Sequence, residues 1–280
     1  MLNLLVPVMN TIYNIAVFTA KDQLKRKSFY LLLAVAIMFT LTVRGCYNAD
    51  YTVNSQQIDR SAIALYASII IFHIVSIGMI VMAVLLSMKI FTRDLEDGSI
   101  TLFLSKPVSR AQYVLGRVAG IWGICSCFML VLHCTIFTIA LIQTRTIIPG
   151  YLTASLVSSC NLLIAVSLVF LLTMLLPDFI AAMGTLAVIS VGFVSDGGQR
   201  LFSNNAIKEM VTNASGADLS VSTWRLYYPK VGMLQYYAGS LIKGDEFQTI
   251  GPIHPIINVS IYCLLVLFLS ISFFNRKELY

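Results

Sequence analysis

His73 and His133 are the two side chains whose type and placement could hold a redox metal. Each lies inside a long apolar run, roughly 14–16 Å from the same end of its run at 1.5 Å per helical residue. Two histidines at matching depth on membrane helices suit a bis-histidine haem, as in membrane cytochromes. The same placement also suits polar hydrogen bonds between helices. Of the 6 cysteines, Cys125, Cys127, Cys134, Cys160 and Cys263 fall inside apolar runs, where a thiol behaves as a small apolar group. Only Cys46 lies outside, which leaves no disulfide framework and no CxxC metal spacing.

Other chemistries lack their residues. No G-x-x-x-x-G-K-[ST] phosphate loop occurs, so the chain has no recognisable ATP site. Asp, His and Ser are present, but in no nucleophile–base–orienter motif. Ion-driven carriers place ionisable residues at mid-membrane, and the apolar runs carry none at their centres. The expectation is a chain that is not an enzyme, binds no cofactor or metal of its own, and takes its energy from elsewhere.

The elements that position these residues follow from composition. The 280 residues are 58% hydrophobic and 11% charged, with mean hydropathy +0.84. A soluble domain carries roughly 25% charged residues, and several runs here reach the ~20 apolar residues that cross a bilayer. The pattern predicts an all-α integral membrane protein with six spans: Phe29–Val43, Ala62–Phe91, Tyr113–Ile142, Tyr151–Leu176, Phe179–Ser195 and Ile256–Phe274. The second and third are long enough to continue beyond the bilayer as unbroken helices.

The cluster Lys25-Arg26-Lys27 directly before the first span sets the orientation by the positive-inside rule. Both termini and the connector between spans two and three then face the cytoplasm, in a multi-pass inner (cytoplasmic) membrane protein. The net charge of +6 is an orientation signal; a nucleic-acid partner would need a basic face on a soluble domain. Before span one, Val8, Met9, Ile12, Ile15, Ala16, Ala20 and Leu24 recur at helical spacing, so 8–27 reads as an amphipathic helix at the membrane interface, in contact with lipids. Residues 196–253 form the one large extracytoplasmic loop. It includes a possible short helix at Ala206–Val211 and a glycosylation-like Asn213-Ala-Ser215. Trp224, Tyr227 and Tyr228 lead into a second amphipathic helix, Lys230–Lys243, which carries Val231, Leu234, Ala238 and Leu241 on one face and stops at Gly244. That helix is expected to lie on, or dip into, the outer leaflet.

The charged island Arg93–Arg110 between two apolar runs carries the most information. Gly98 suits a helix C′ position of positive φ, and Ser99 can cap the helix that follows. Ile100, Phe103 and Leu104 share a face, making 99–105 a short amphipathic helix that Pro107 ends. Ser109-Arg-Ala-Gln112 has capping-box form, so span three starts sharply at Ser109. The alternatives are a stiff element able to transmit force and an ordinary solvated loop.

Glu96-x-Gly98-Ser99-Ile-x-x-x-Leu104-Ser105-x-Pro107-Val-Ser109-Arg110, followed by Gly116, resembles the signature of bacterial ATP-binding-cassette exporter permeases of the second type. Within them it is most similar to the group of the nitrous-oxide-reductase maturation permease. The closing Phe274-Asn-Arg276-Lys277-Glu-Leu279 resembles their basic tail. Where that family often has Arg-Glu-Arg-Glu-Arg-Gly-Thr, this chain has Arg93-Asp-Leu-Glu-Asp-Gly-Ser, which is less basic and more acidic. The resemblance implies a permease whose segment 92–110 is a coupling helix seated in a groove of a cytosolic ABC ATPase dimer. A second permease copy, as a homodimer, would complete the pore. By that resemblance Glu96, Gly98, Ser99, Pro107, Ser109 and Arg110 are the ATPase-coupling positions. A non-transporting membrane scaffold or assembly factor with the same topology is the alternative.

Overall fold

The computed structural model describes residues 2–48, 52–53, 56–57, 60–105, 108–145, 147–202, 228–247 and 253–276. In hydrocarbon, every backbone amide must find its partner within the protein, and a helix does so within one segment. The described residues accordingly form α1 (Leu2–Leu24), α2 (Lys27–Asn48), α3 (Arg60–Ser87), α4 (Ile90–Glu96), α5 (Ser99–Leu104), α6 (Arg110–Thr144), α7 (Tyr151–Thr173), α8 (Asp178–Phe202), α9 (Val231–Lys243) and α10 (Pro255–Arg276). A two-residue antiparallel pair, β1 (Thr52–Val53) with β2 (Gln56–Gln57), joins α2 to α3.

Five helices are long and apolar enough to cross a membrane: α3 continued by α4, then α6, α7, α8 and α10. The pair α1–α2 meets the same test together, bent by 73° at its break. That bend falls at Lys25-Arg26, where the chain leaves one helix and enters the next. It turns α1 steeply away from the axis of α2. The chain is therefore an all-helical, multi-pass membrane protein.

Several boundaries differ from the sequence expectation. The amphipathic helix begins at Leu2 rather than residue 8. Helix α2 continues past Val43 to Asn48, so Cys46 lies within a helix and not beyond one. Span two carries a local turn at Met88-Lys89, where α3 gives way to α4, yet Ala64–Glu96 runs on as one membrane-crossing length. Span three is continuous, and its 35 residues reach about 52 Å, well past a hydrocarbon core of ~30 Å. Helix α8 runs on to Phe202, taking Asp196 and Arg200 into its last turns. Ala206–Val211, the Asn213–Ser215 acceptor, Trp224 and Tyr227 lie outside the described residues.

Helices α6 and α7 form the centre. Helix α6 packs against α1, α2, α3, α7 and α10, and α7 packs against α3, α8, α9 and α10 as well. Side chains such as Leu31, Leu41, Phe179, Val194, Leu264 and Phe268 are exposed on the outside, as a bilayer solvent permits. Hydroxyls within the helices bond back to the carbonyl four residues earlier, as in Thr40 to Ala36, Thr185 to Ala181 and Ser270 to Val266, which satisfies them in place.

Helix α9 corrects an expectation. Its face of Val231, Leu234 and Ala238 is buried as read, but so are Met233, Gln235, Gly239 and Ile242. The helix is seated among α3, α7, α8 and α10 rather than resting on a surface. Ser158 donates to the Gln235 side-chain Oε1 at 2.9 Å, and Asn161 donates to the Val231 backbone carbonyl at 3.1 Å. Asp196 accepts from the Met233 amide, and Asn258 accepts from the Lys230 amide. A lone polar side chain on an amphipathic helix reads as a solvated one. Here the partners come from α7, α8 and α10.

The two histidines make interhelical hydrogen bonds. His133 Nδ1 is 2.7 Å from the Ser155 hydroxyl across the α6–α7 contact, with its ring stacked on Phe72. His73 Nδ1 is 3.2 Å from the Gln235 amide nitrogen of α9.

Candidate functional site

The island builds its shape from local rules. Helix α4 ends as the Asp97 and Gly98 amides turn back to carbonyls of its last turn, and Gly98 takes φ 63°. An L side chain adopts that left-handed conformation only under strain, which glycine avoids. Helix α5 follows at once. Ser99 is its first residue, so the N-cap position falls to Gly98 rather than to Ser99 as expected. The chain restarts at Ser109 with a complete capping box: the Gln112 amide donates to the Ser109 hydroxyl, and the Ser109 amide donates to the Gln112 side chain at 2.8 Å. Such a cap stabilises a helix start by ~1 kcal/mol. Pro107 lies outside the described residues.

Beneath this turn lies a buried charge cluster. The Arg117 guanidinium on α6 meets the Asp94 carboxylate of α4 at 2.6 Å, with both side chains almost fully buried. The Tyr113 hydroxyl donates to the same carboxylate at 2.5 Å. Arg117 also donates to Thr19 of α1 at 3.2 Å. Around the guanidinium stand the rings of Phe18 from α1, Phe103 from α5 and Tyr113 from α6, each within 5.1–5.6 Å of its carbon. An arginine removed from water needs an acid and good geometry to be tolerated, and ring faces add cation–π attraction.

Next to it, partly exposed, Arg93 of α4 pairs with Asp22 of α1, and Arg26 reaches the same carboxylate at 3.2 Å. Helix α1 can come this close because Gly116 and Gly120 face it. A Cβ at Gly116 would lie 2.7 Å from Ile15, and one at Gly120 would lie 2.6 Å from the Ala16 carbonyl oxygen. This is the small-xxx-small contact of membrane helices, made here by the helix that bends away.

The expected coupling residues divide by environment. Glu96 is exposed at the end of α4. Gly98, Ser99 and Ser109 shape the backbone. Arg110 donates to the Phe274 and Asn275 carbonyls at 2.8 and 3.0 Å, at the C-terminal end of α10, with its guanidinium over the Phe274 ring. It thus fastens the start of α6 to the end of the last helix. Thr92 likewise donates to Asp178 at the start of α8.

Asp22, Asp94, Tyr113 and Arg117 were not singled out from the sequence. The signal was present, since Arg117 sits inside the predicted third span and a charge there calls for a partner. Asp94 lies four residues after Ile90, on the face that Ile90 and Phe91 bury.

Helices α1, α4, α5 and α6 are joined at one end of the bundle by charge and aromatic contacts. Among curated proteins none matches the chain. The profile of the ABC-2 family transporter proteins matches residues 13–279, nearly the whole chain and all the elements just described except the first half of α1, and the chain belongs to that family.

Proposed function

We propose that this chain is the membrane subunit of an ATP-driven exporter, and that residues 92–110 are the handle on which a separate cytosolic ABC ATPase dimer acts. Membership of the ABC-2 family supports a permease subunit of an ABC transporter, and such a subunit implies an ABC ATPase partner. The observation that carries the coupling role is the Asp94–Arg117 pair buried beneath α5. A push on α5 acts through Phe103 on the Arg117 guanidinium, and so on α6, the longest membrane helix.

The Lys25-Arg26-Lys27 cluster lies at the same end as the handle and supports a cytosolic position for it. Two copies of the permease would enclose the transport path as a homodimer. Its walls would be largely apolar, which suits an amphiphilic cargo. Within the family, the Glu96–Arg110 motif supports a place near the nitrous-oxide-reductase maturation group.

The test is reconstitution with the ATPase subunit. The parental permease should co-purify with it and stimulate its ATP hydrolysis. Glu96→Lys should cut stimulation and cargo export at least several-fold without lowering thermal stability, because the side chain is exposed. Export at the parental rate by Glu96→Lys would remove this residue from the interface. Failure of the parental chain to bind any ABC ATPase would remove the function itself.

A further inference from the structure

We propose that the groove between α2 and α3 seats an acyl chain of an anionic phospholipid, with its headgroup held by the lysines at the adjoining ends of these helices. The groove is a cavity of about 230 Å³ with Leu32, Val35 and Phe39 of α2 on one side, Gly78 and Met82 of α3 on the other, and Leu132 of α6 among its walls. All its lining side chains are hydrocarbon or thioether, so nothing in it can hold a polar ligand. Gly78 creates the space, since a Cβ there would meet no atom within 4 Å. Val35 and Ile74 at the lip are 55% and 49% exposed, so the groove opens sideways off the bundle and not into its core.

Its depth fits a lipid. Helix α2 enters the bundle at Lys27 and α3 leaves it near Lys89, so one end of the groove lies between two basic positions. Leu32 is five residues beyond Lys27, about 7.5 Å along the axis, and Met82 is seven residues before Lys89, about 10 Å. Lys21, Lys25, Lys27 and Lys89 are all exposed. Of the neighbouring acids, Asp22 is engaged by Arg26 and Arg93 and Asp97 lies 3.9 Å from Arg93, so the exposed lysines give this rim a net positive charge. A zwitterionic lipid would fill the groove but leave the rim without counter-charge; an anionic one meets both. A second copy of the chain fits less well, because a two-fold contact sets the same patch against itself and would oppose lysine to lysine.

The inference needs only a membrane-spanning bundle and is independent of the ATPase. Its test uses the full-length protein in vesicles of phosphatidylcholine and phosphatidylglycerol, with spin-labelled versions of each lipid as probes and the motionally restricted fraction as the readout. Phosphatidylglycerol should be preferred by roughly thirtyfold, as two lysines near the headgroup imply. Gly78→Leu, whose side chain has open space to enter, should lower the restricted fraction and reduce the preference. The double variant Lys27→Gln with Lys89→Gln, which keeps Lys25 and Arg26 for orientation, should bring the two lipids close to parity. Equal restriction of both lipids by the parental protein would overturn the proposal, as would a preference that survives Gly78→Leu. Efficient cross-linking between Gly78→Cys copies in the bilayer would also overturn it, by showing that the groove is covered by protein.

Discussion

Replacing Arg117 with methionine removes one half of the buried pair and leaves the Asp94 carboxylate with the Tyr113 hydroxyl and the more distant Arg93 guanidinium, 3.9 Å away. Both partners are almost fully buried, Arg117 at 1% and Asp94 at 2% side-chain exposure, so solvent screens the loss little. Breaking such a pair from one side costs ~3–5 kcal/mol, chiefly through the uncompensated charge left behind. Loss of the ring contacts with Phe18, Phe103 and Tyr113 acts in the same direction. Asp94→Leu should cost a similar amount, since it strands the guanidinium. Asp94→Leu with Arg117→Met buries no charge. It should lie only ~1–3 kcal/mol below the parental protein, mainly because the Tyr113 hydroxyl loses its acceptor.

The assay is reversible unfolding by sodium dodecyl sulfate in mixed micelles, read by helix content and by tryptophan fluorescence. The summed losses of the single variants should exceed that of the double variant by at least about 2 kcal/mol, the signature of direct coupling. Strictly additive losses, or an Arg117→Met protein within ~1 kcal/mol of the parent, would refute the reasoning. Transport then separates two roles. If the pair only stabilises, the apolar double variant should export normally. If it relays force, that variant should stay folded and stop exporting.

Two further expectations concern packing. Gly120→Leu puts a side chain where a Cβ alone would lie 2.6 Å from the Ala16 carbonyl oxygen. It should cost ~1–3 kcal/mol as overpacking and raise hydrogen exchange in α1, with α7 and α10 unchanged; uniform protection would show that α1 is not seated there. Gln235→Leu removes the acceptor of Ser158 and the partner of His73. It should cost ~1–3 kcal/mol for buried groups left unpaired in the same unfolding assay, and a loss below ~0.5 kcal/mol would place α9 at a solvated surface.

Apolar run length located the membrane helices, because it is set by bilayer thickness and needs no tertiary information. The capping box at Ser109 and the glycine turn at Gly98 were legible for a similar reason: each is closed within a few residues of chain. What escaped were features defined by a partner distant in sequence. Arg117 counted as one positive charge among many until α4 brought Asp94 beside it. Gly116 and Gly120 show no helical irregularity, and only the approach of α1 explains them. Gln235 reads as the wet side of a short amphipathic helix, and becomes an interior residue because Ser158, Asn161 and His73 offer hydrogen bonds there. The local turn at residues 88–89 also escaped, since the apolar pattern runs on through it into Ile90 and Phe91.

The handle's stiffness cannot come from α5 alone. Six residues make fewer than two helical turns, too short to hold together without tertiary support. Its support is external: Ile100 is buried, and Phe103 packs edge-on against Phe18 and tilted against Tyr113. A displacement of α5 therefore reaches α1 and α6 together. Arg110 extends the linkage to the last turn of α10, and Thr92 extends it to the first turn of α8. Among the described residues, the start of α8 and the end of α10 are thus joined to the α4–α6 junction by named polar contacts. Under the coupling proposed above, a motor at this end would move a clamped group of helix ends rather than bend one loop. The compliance that transport needs must then lie farther along the helices.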